Sequence, residues 1–292
     1  MNLYQNRIVV KVGTSTLTNE LGQNNLRAFD RLARVLSDIR NRGYEVILVS
    51  SGAIAVGSNK LHRGTRPTSL KYKQAAAAVG QCSIMFLYDK FFSDYDRTIA
   101  QILLNEEDIR DEEKRLNLTN TFDALLKMGV IPVVNENDSV SYAEIQSGER
   151  LFGDNDMLSA IVAVLCHASR LVILSDIDGF YDRDPRIDPT AKLIREITTI
   201  DERVYALAGG AGSRRGTGGM KTKLKAAELA TSKGIDTLIT NGNNPASLYE
   251  ILDGGSVGTL FKGKKENARF AASAARKRPL RTAAPEAAAA VL

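Results

Sequence analysis

The chain is poor in the residues that build metal centres and disulfide frameworks: its 292 residues include two histidines, His62 and His167, and two cysteines, Cys82 and Cys166. Two isolated histidines exclude a histidine-rich metal site. Two cysteines in helical contexts make neither a zinc pattern nor a disulfide framework, so a reducing cytoplasm is the expected compartment. Long apolar runs are missing as well. Stretches such as Ala160–Cys166 fall far short of the roughly 20 residues that cross a bilayer, and no membrane span is expected. The N-terminal MNLYQNRIVVKVG has no charged segment followed by a long apolar one, so it does not read as a signal peptide. There is no G-x-x-x-x-G-K-[ST] loop, and no G-x-G-x-x-G directly follows a strand pattern, which excludes the Walker A and dinucleotide-binding fingerprints.

The formal charge of +5 misleads about partners. From Lys262 onward there are eight basic residues and two acidic ones, a net of +6, so the first 261 residues carry −1. The basic tail is interleaved with only Phe261 and Phe270, not with the aromatics of a nucleic-acid platform, and a nucleic-acid partner is not expected. Residues 268–292, rich in Ala and Arg with two prolines, read as a linker-like end.

What the chain does have is alternation. Strand patterns at Arg7–Val12, Glu45–Ser50, Arg97–Leu104, Val130–Asn135, Arg170–Ser175 and Asp236–Thr240 alternate with helical patterns at Asn25–Arg42, Ser69–Tyr95, Glu107–Met128, Asn155–His167, Gly219–Lys233 and Pro245–Leu252. Several strands (IVVKV, VILVS, VIPVV, LVILS) are apolar throughout. That predicts an α/β fold with a parallel sheet covered on both faces and joined by crossover helices. Ligands of such sheets bind beyond the carboxyl ends of the strands. Five strands run into loops there: Gly13-Thr14-Ser15, Ser51-Gly52-Ala53, Asn135–Asp138, Asp176–Gly179 and Asn241-Gly242. They point to one shared cleft.

The most informative segment is Gly216–Lys223, GTGGMKTK. A glycine-rich turn feeding a helix offers backbone N–H groups and a positive dipole end to an anion. On a helical wheel Lys221, Lys225, Glu228 and Ser232 form a polar stripe opposite Met220, Leu224, Ala227 and Ala230. Lys223 falls with Ala227 and Ala230 on the buried side, where a lysine needs an anionic partner such as phosphate. Lys11 lies inside an apolar strand. It reads as a surface lysine or a phosphate contact, and the Gly13-Thr14-Ser15-Thr16 turn favours the second. Ser51 reads first as an ordinary helix N-cap. The Asn135–Asp138 stretch is a plain polar loop or a grip for an ammonium or hydroxyl group. In Asp154-Asn155-Asp156 helix capping explains one acid, whereas Asp156 remains to position two lysines or help hold magnesium. Ser175 and Asp176 are consistent with a plain turn, and Tyr181 with stacking on a base.

Seven segments, VVKVGTSTL (9–17), VSSGAIAVG (49–57), AAVGQ (77–81), PVVNENDSV (132–140), FGDNDMLSA (152–160), LSDIDGFYDRDPR (174–186) and GTGGMKTKLKAA (216–227), together resemble the amino acid kinase family over roughly residues 5–263. The resemblance implies a three-layer αβα sandwich about a mainly parallel sheet, forming one domain over 1–263. Its N-terminal part would bind the acceptor and its C-terminal part ATP. Residues 264–292 would be a basic tail, without the PUA domain that bacterial members often carry. The branch it resembles phosphorylates the side-chain carboxylate of L-glutamate with ATP and Mg2+, giving glutamyl 5-phosphate for proline biosynthesis. On that resemblance Lys11 and Lys223 contact the transferring phosphoryl group and Asp156 orients them. Ser51, Asp138 and Asn155 bind glutamate, Asp138 through the α-ammonium. ATP is held by Lys11, Ser175, Asp176, Thr217, Gly218, Gly219, Met220, Lys221, Thr222 and Lys223. No side chain is assigned as a metal ligand. Proline as feedback inhibitor, glutamyl phosphate reductase as partner and a homo-oligomeric state are further implications.

The segment Ser147–Leu151 departs from compact family members by its length. Acetylglutamate, carbamate, aspartate and UMP kinases share the fold and are the alternatives within it. A nucleic-acid-binding protein acting through the basic tail is the alternative from another class. A glutamate side chain, with a reference pKa of about 4.3, is already ionised at neutral pH. Its phosphorylation needs no general base, in keeping with motifs that contain no histidine.

Overall fold

Residues 6–19, 23–62, 67–140, 154–208 and 219–264 are described by a computed structural model. The chain begins with β1 (Arg7–Val12), α1 (Thr14–Leu17), α2 (Leu26–Asn41), β2 (Glu45–Val49), α3 (Ala53–His62) and α4 (Leu70–Ser93). Then come β3 (Ile99–Leu104), α5 (Glu106–Arg110), α6 (Glu112–Lys127), β4 (Ile131–Glu136), α7 (Asn155–Leu165) and β5 (Arg170–Ser175). The remainder is β6 (Phe180–Tyr181), β7 (Leu193–Ile194), β8 (Glu196–Ile197), α8 (Glu202–Leu207), α9 (Met220–Ser232), β9 (Asp236–Asn241), α10 (Ser247–Leu252) and β10 (Thr259–Phe261).

Among the described residues eight strands form one sheet in the order β3-β4-β2-β1-β5-β9-β10-β8, and β6 pairs with β7 in a small separate ribbon. Every pairing in the large sheet is parallel except β10 against β9. From β1 the chain builds outward through β2 to β4 and β3, then returns to place β5 and β9 on the other side. The reversal falls between β1 and β5, which makes the crevice at their carboxyl ends the topological switch point.

Strand alternation distributes the core over two faces. Val9, Ile47 and Ile173 pack with Phe122 of α6, Leu158 of α7 and Leu224 of α9. Ile8, Val10, Leu48 and Val172 pack with Phe29 of α2, Val56 of α3, Leu87 of α4 and Leu248 of α10. This is the expected three-layer αβα sandwich. Lys11 follows Val9 by two, so the period of the strand sends it toward the α7 and α9 layer.

Several boundaries differ from the sequence reading. The helix expected over Glu107–Met128 is two, because Asp111 has extended geometry (φ −71°, ψ 127°) and its side chain accepts from Lys114 N at 2.8 Å, capping α6. The short strand β10 and the edge strand β8 beyond it were not expected, being three and two residues long. Helices α3 and α4 touch at glycines: a Cβ on Gly57 would lie 1.7 Å from the Ala76 carbonyl oxygen, and one on Gly80 would lie 1.8 Å from that of Ala53. The segment 147–151 and the tail after Lys264 lie outside the described residues. Among those described, no helix is long and apolar enough to cross a membrane.

Candidate active site

Three charges from three elements meet at the switch point. Lys11 Nζ lies 2.7 Å from Asp156 Oδ1, and Lys223 Nζ lies 3.0 Å from Asp156 Oδ2. Lys11 comes from β1, Asp156 from the first turn of α7 and Lys223 from the first turn of α9. All three are buried, with 7, 1 and 8 % exposure respectively. Burial alone would raise the Asp156 pKa, but the two ammonium groups override it and hold the carboxyl at about 2. The carboxylate is therefore ionised throughout the physiological range, and the cluster carries a net charge of +1.

Local sequence explains each placement. Asp154 caps α7, its Oδ1 accepting from Asp156 N at 2.9 Å and Met157 N at 3.0 Å, which leaves Asp156 free of capping duty. On α9 the wheel reading holds: Lys223, Leu224, Ala227 and Ala230 are buried, whereas Lys221, Lys225 and Glu228 are exposed. Thr222 turns inward too, its Oγ1 lying 2.8 Å from Gly219 O and 3.1 Å from Asp156 Oδ2.

Beside Lys223 a cleft of about 280 Å³ opens. It is lined by Ser175 at the end of β5, by Asp176 and Asp178 after it, by Tyr181 and Arg186, by Gly219 and Met220 at the start of α9, and by Asn241 at the end of β9. Asp178 is held by Asn241 Nδ2 at 2.7 Å and by the Tyr181 hydroxyl at 3.3 Å. Arg186 makes a two-pronged contact with Asp184, 2.9 Å on each prong. A polar crevice with a lysine in its wall suits a polyphosphate. Of the residues expected to hold ATP, Ser175, Asp176, Gly219, Met220 and Lys223 line this cleft, while Lys221 points to solvent. Thr217 and Gly218 lie outside the described residues.

On the other side of the lysines, Ser51 is not a helix cap as its position suggested. Gly52, at φ +98°, separates it from α3. The Ser51 hydroxyl donates instead to Val12 O at 3.0 Å and lies 3.3 Å from Thr14 Oγ1, tying together the loops that follow β1 and β2. Asn155 donates both amide hydrogens, to Ser50 O at 2.6 Å and to Asn135 Oδ1 at 2.8 Å. Asp138 is half-buried in the turn after β4, on the same carboxyl edge of the sheet.

Sequence reasoning noted Tyr181 and the Asn241 loop without joining them through Asp178. It missed Asn135 as a side chain behind the site and gave Gln81 no role. The signal for Asn135 was an amide closing the apolar strand IPVVN, at a position the structure shows to be 2 % exposed.

The model of the amino acid kinase family matches residues 6–241. The chain is 55% identical over 259 residues to a glutamate 5-kinase of Clostridium perfringens, covering 89% of this chain and 96% of that protein. It is 51% identical over 262 residues to a glutamate 5-kinase of Enterococcus faecalis, with 89% and 96% covered. Among solved structures, the UMP kinase of Bacillus anthracis superposes with a TM-score of 0.61 at 17% identity, covering 89% of this chain and 96% of that one. An isopentenyl phosphate kinase of T. acidophilum gives 0.58 at 15% identity, covering 88% and 100%. The structural likeness carries the fold, and the family match over residues 6–241 spans Lys11, Asp156 and Lys223. The chain belongs to the amino acid kinase family.

Proposed function

We propose that the chain transfers the γ-phosphoryl group of ATP to the side-chain carboxylate of L-glutamate, producing glutamyl 5-phosphate at the start of proline biosynthesis. The observation that carries this reading is the buried Lys11–Asp156–Lys223 cluster, whose Lys223 lines a polar cleft. The identity of about half the chain to proteins named glutamate 5-kinase supports the choice of acceptor.

The acceptor carboxylate arrives ionised, so the protein has no proton to remove. Catalysis then rests on alignment and on stabilising charge spread over the phosphoryl oxygens. Lys11 and Lys223 supply two cations held in place before substrate binds, and Asp156 fixes their separation. The residues lining the cleft fit magnesium carried in with the nucleotide, since this ion keeps mostly phosphate and water ligands and takes one or two carboxylates. Asp176 and Asp178 are the carboxylates of that cleft, and the ion would neutralise phosphate charge there. Ser51, Asn155 and Asp138 form the acceptor side. The acyl phosphate product hydrolyses readily, which favours its direct use by a reductase. Cys82 and Cys166 are both unpaired, in keeping with a reducing cytoplasm.

The test is turnover of purified protein with ATP, MgCl2 and L-glutamate, the product being trapped by hydroxylamine as a hydroxamate. Hydroxamate should form in step with ADP, and N-acetylglutamate should be a poor substitute. ADP release with N-acetylglutamate or UMP, and none with L-glutamate, would overturn the assignment.

A further inference from the structure

The segment Ala77–Gln81 does not line the nucleotide cleft, yet it reaches the acceptor side through a chain of three amides. Gln81 Oε1 accepts from Asn135 Nδ2 at 2.9 Å, and Asn135 Oδ1 accepts from Asn155 Nδ2 at 2.8 Å. Two backbone groups fix the direction of this chain. Glu136 N–H, which can only donate, bonds Asn135 Oδ1 at 2.9 Å, so the Asn135 amide must point its hydrogens toward Gln81. The Ser50 carbonyl, which can only accept, takes the other hydrogen of Asn155 at 2.6 Å. With both donors spent, Asn155 has only its Oδ1 left to offer a ligand. Asn155 is half-buried and directly precedes Asp156, which sets the residue beside the lysine pair. Its Oδ1 suits an N–H donor and repels a carboxylate.

Gln81 is the far end of the chain, buried at 9 % exposure behind an Asn135 that is 2 % exposed. It is brought within reach by the close approach of α3 and α4, where Gly80 leaves no room for a Cβ against Ala53 O. The glycine and the glutamine that follow each other in AAVGQ thus have one purpose: the first admits the helix, the second supplies the acceptor. Without that acceptor the Asn135 amide has a buried hydrogen unpaired and a reason to rotate, which would release Asn155 in turn.

We propose that Gln81 is a positioning residue for amino-group recognition, holding Asn135 and through it Asn155 so that Asn155 Oδ1 accepts from the α-ammonium of the substrate. This rests on the glutamate reading above and adds the device that tells an amino acid from its deaminated analogue. Gln81→Leu keeps the volume and removes the acceptor. Steady-state kinetics should show KM for L-glutamate rising about tenfold, equivalent to 1.4 kcal/mol, with KM for ATP unchanged. The Ki of glutarate, which has the same two carboxylates and no amino group, should stay within about twofold as a competitive inhibitor, because it never used that oxygen. A merely structural role would move both acids and ATP together. Should Gln81→Leu fail to fold, Gln81→Met, unbranched like glutamine, is expected to give the same split. Parallel changes for glutamate and glutarate, or an unchanged KM for glutamate, would overturn the proposal while leaving the kinase reading intact. Absence of glutamate turnover in the unmodified protein would overturn the kinase reading itself.

Discussion

Replacing Asp156 by Asn removes one negative charge from between two buried ammonium groups while keeping the shape of the side chain. At the observed contacts of 2.7 and 3.0 Å, an effective dielectric constant of about 20 gives roughly 6 kcal/mol of bare attraction for each pair. Desolvation of three buried charges cancels much of that. Removing one partner of a buried pair nevertheless costs about 3–5 kcal/mol, because the charge left behind is uncompensated. Here two charges are left, at 7 and 8 % exposure. Against a total stability of about 5–15 kcal/mol this is a large fraction. At roughly 2–4 °C per kcal/mol, the melting temperature should fall by about 6–20 °C.

The same substitution changes the cluster from +1 to +2, which sets up a second and more discriminating outcome. A nucleotide polyphosphate replaces the missing negative charge, so ATP should raise the melting temperature of Asp156→Asn by more than it raises that of the unmodified protein. Turnover should still drop by about 10²–10³, since the lysines are no longer held where the phosphoryl group passes. Differential scanning fluorimetry with and without ATP, beside a turnover assay, measures all three. A melting temperature within about 2 °C of the unmodified protein, or a nucleotide-induced rise that shrinks, would refute the view of Asp156 as the counter-ion of both lysines.

Three further outcomes are expected. Lys223→Ala should lower kcat by about 10²–10³ with the fold retained by circular dichroism, while Lys221→Ala, on the exposed face, should leave kcat within about twofold; equal losses would contradict the assignment of the two faces of α9. The depressed pKa of Asp156 stabilises the fold fully above the unfolded carboxyl value of about 3.9, and that contribution is lost as pH falls toward about 2. The gap in melting temperature between the unmodified protein and Asp156→Asn should thus be constant from about pH 5 to 8 and narrow below about pH 4; a gap that grows on acidification would reverse the sign argued here. Gly80→Ala drives a methyl group onto the Ala53 carbonyl at 1.8 Å, so separation of α3 from α4 should cost at least about 1–3 kcal/mol in chemical denaturation; a neutral result would remove the close contact as a structural requirement.

The layers of the fold were legible because β1, β2 and β5 are apolar at almost every position, a pattern that only burial on both faces accounts for. Lys223 was legible for a related reason: a helix with one polar stripe tells on which side a misplaced lysine stands. Lys11 was harder. In a strand covered on both faces the sequence does not say which layer a given residue meets, and only the position of Val9 among α6, α7 and α9 settles the direction. The break at Asp111 was hidden in RDEEKR, a run of good helix formers in which an aspartate caps as readily as it continues. Ser51 was misjudged because Gly52, with its left-handed backbone, delays the helix by a residue.

The amide chain was not legible at all, and the reason is physical. Its links join residues 54 and 20 positions apart, on elements whose pairing depends on the strand order, and no local pattern records that order. Yet the chain bears on the charges that were legible. On the reading proposed above, the cluster of +1 would receive a γ-phosphate and a carboxylate, both anionic, and must let an acyl phosphate and ADP leave again. Stronger cationic binding of all anions alike would hold products as firmly as substrates and would raise no rate. Selectivity for the amino acid then calls for groups that tell its ammonium from an anion, and a chain of amides pinned by two backbone groups would be such a device beside Asp138. On that proposal charge serves the phosphoryl group and oriented amides help to read the amino acid; the lysines announce themselves in the sequence by their apolar surroundings, whereas the links between the amides do not.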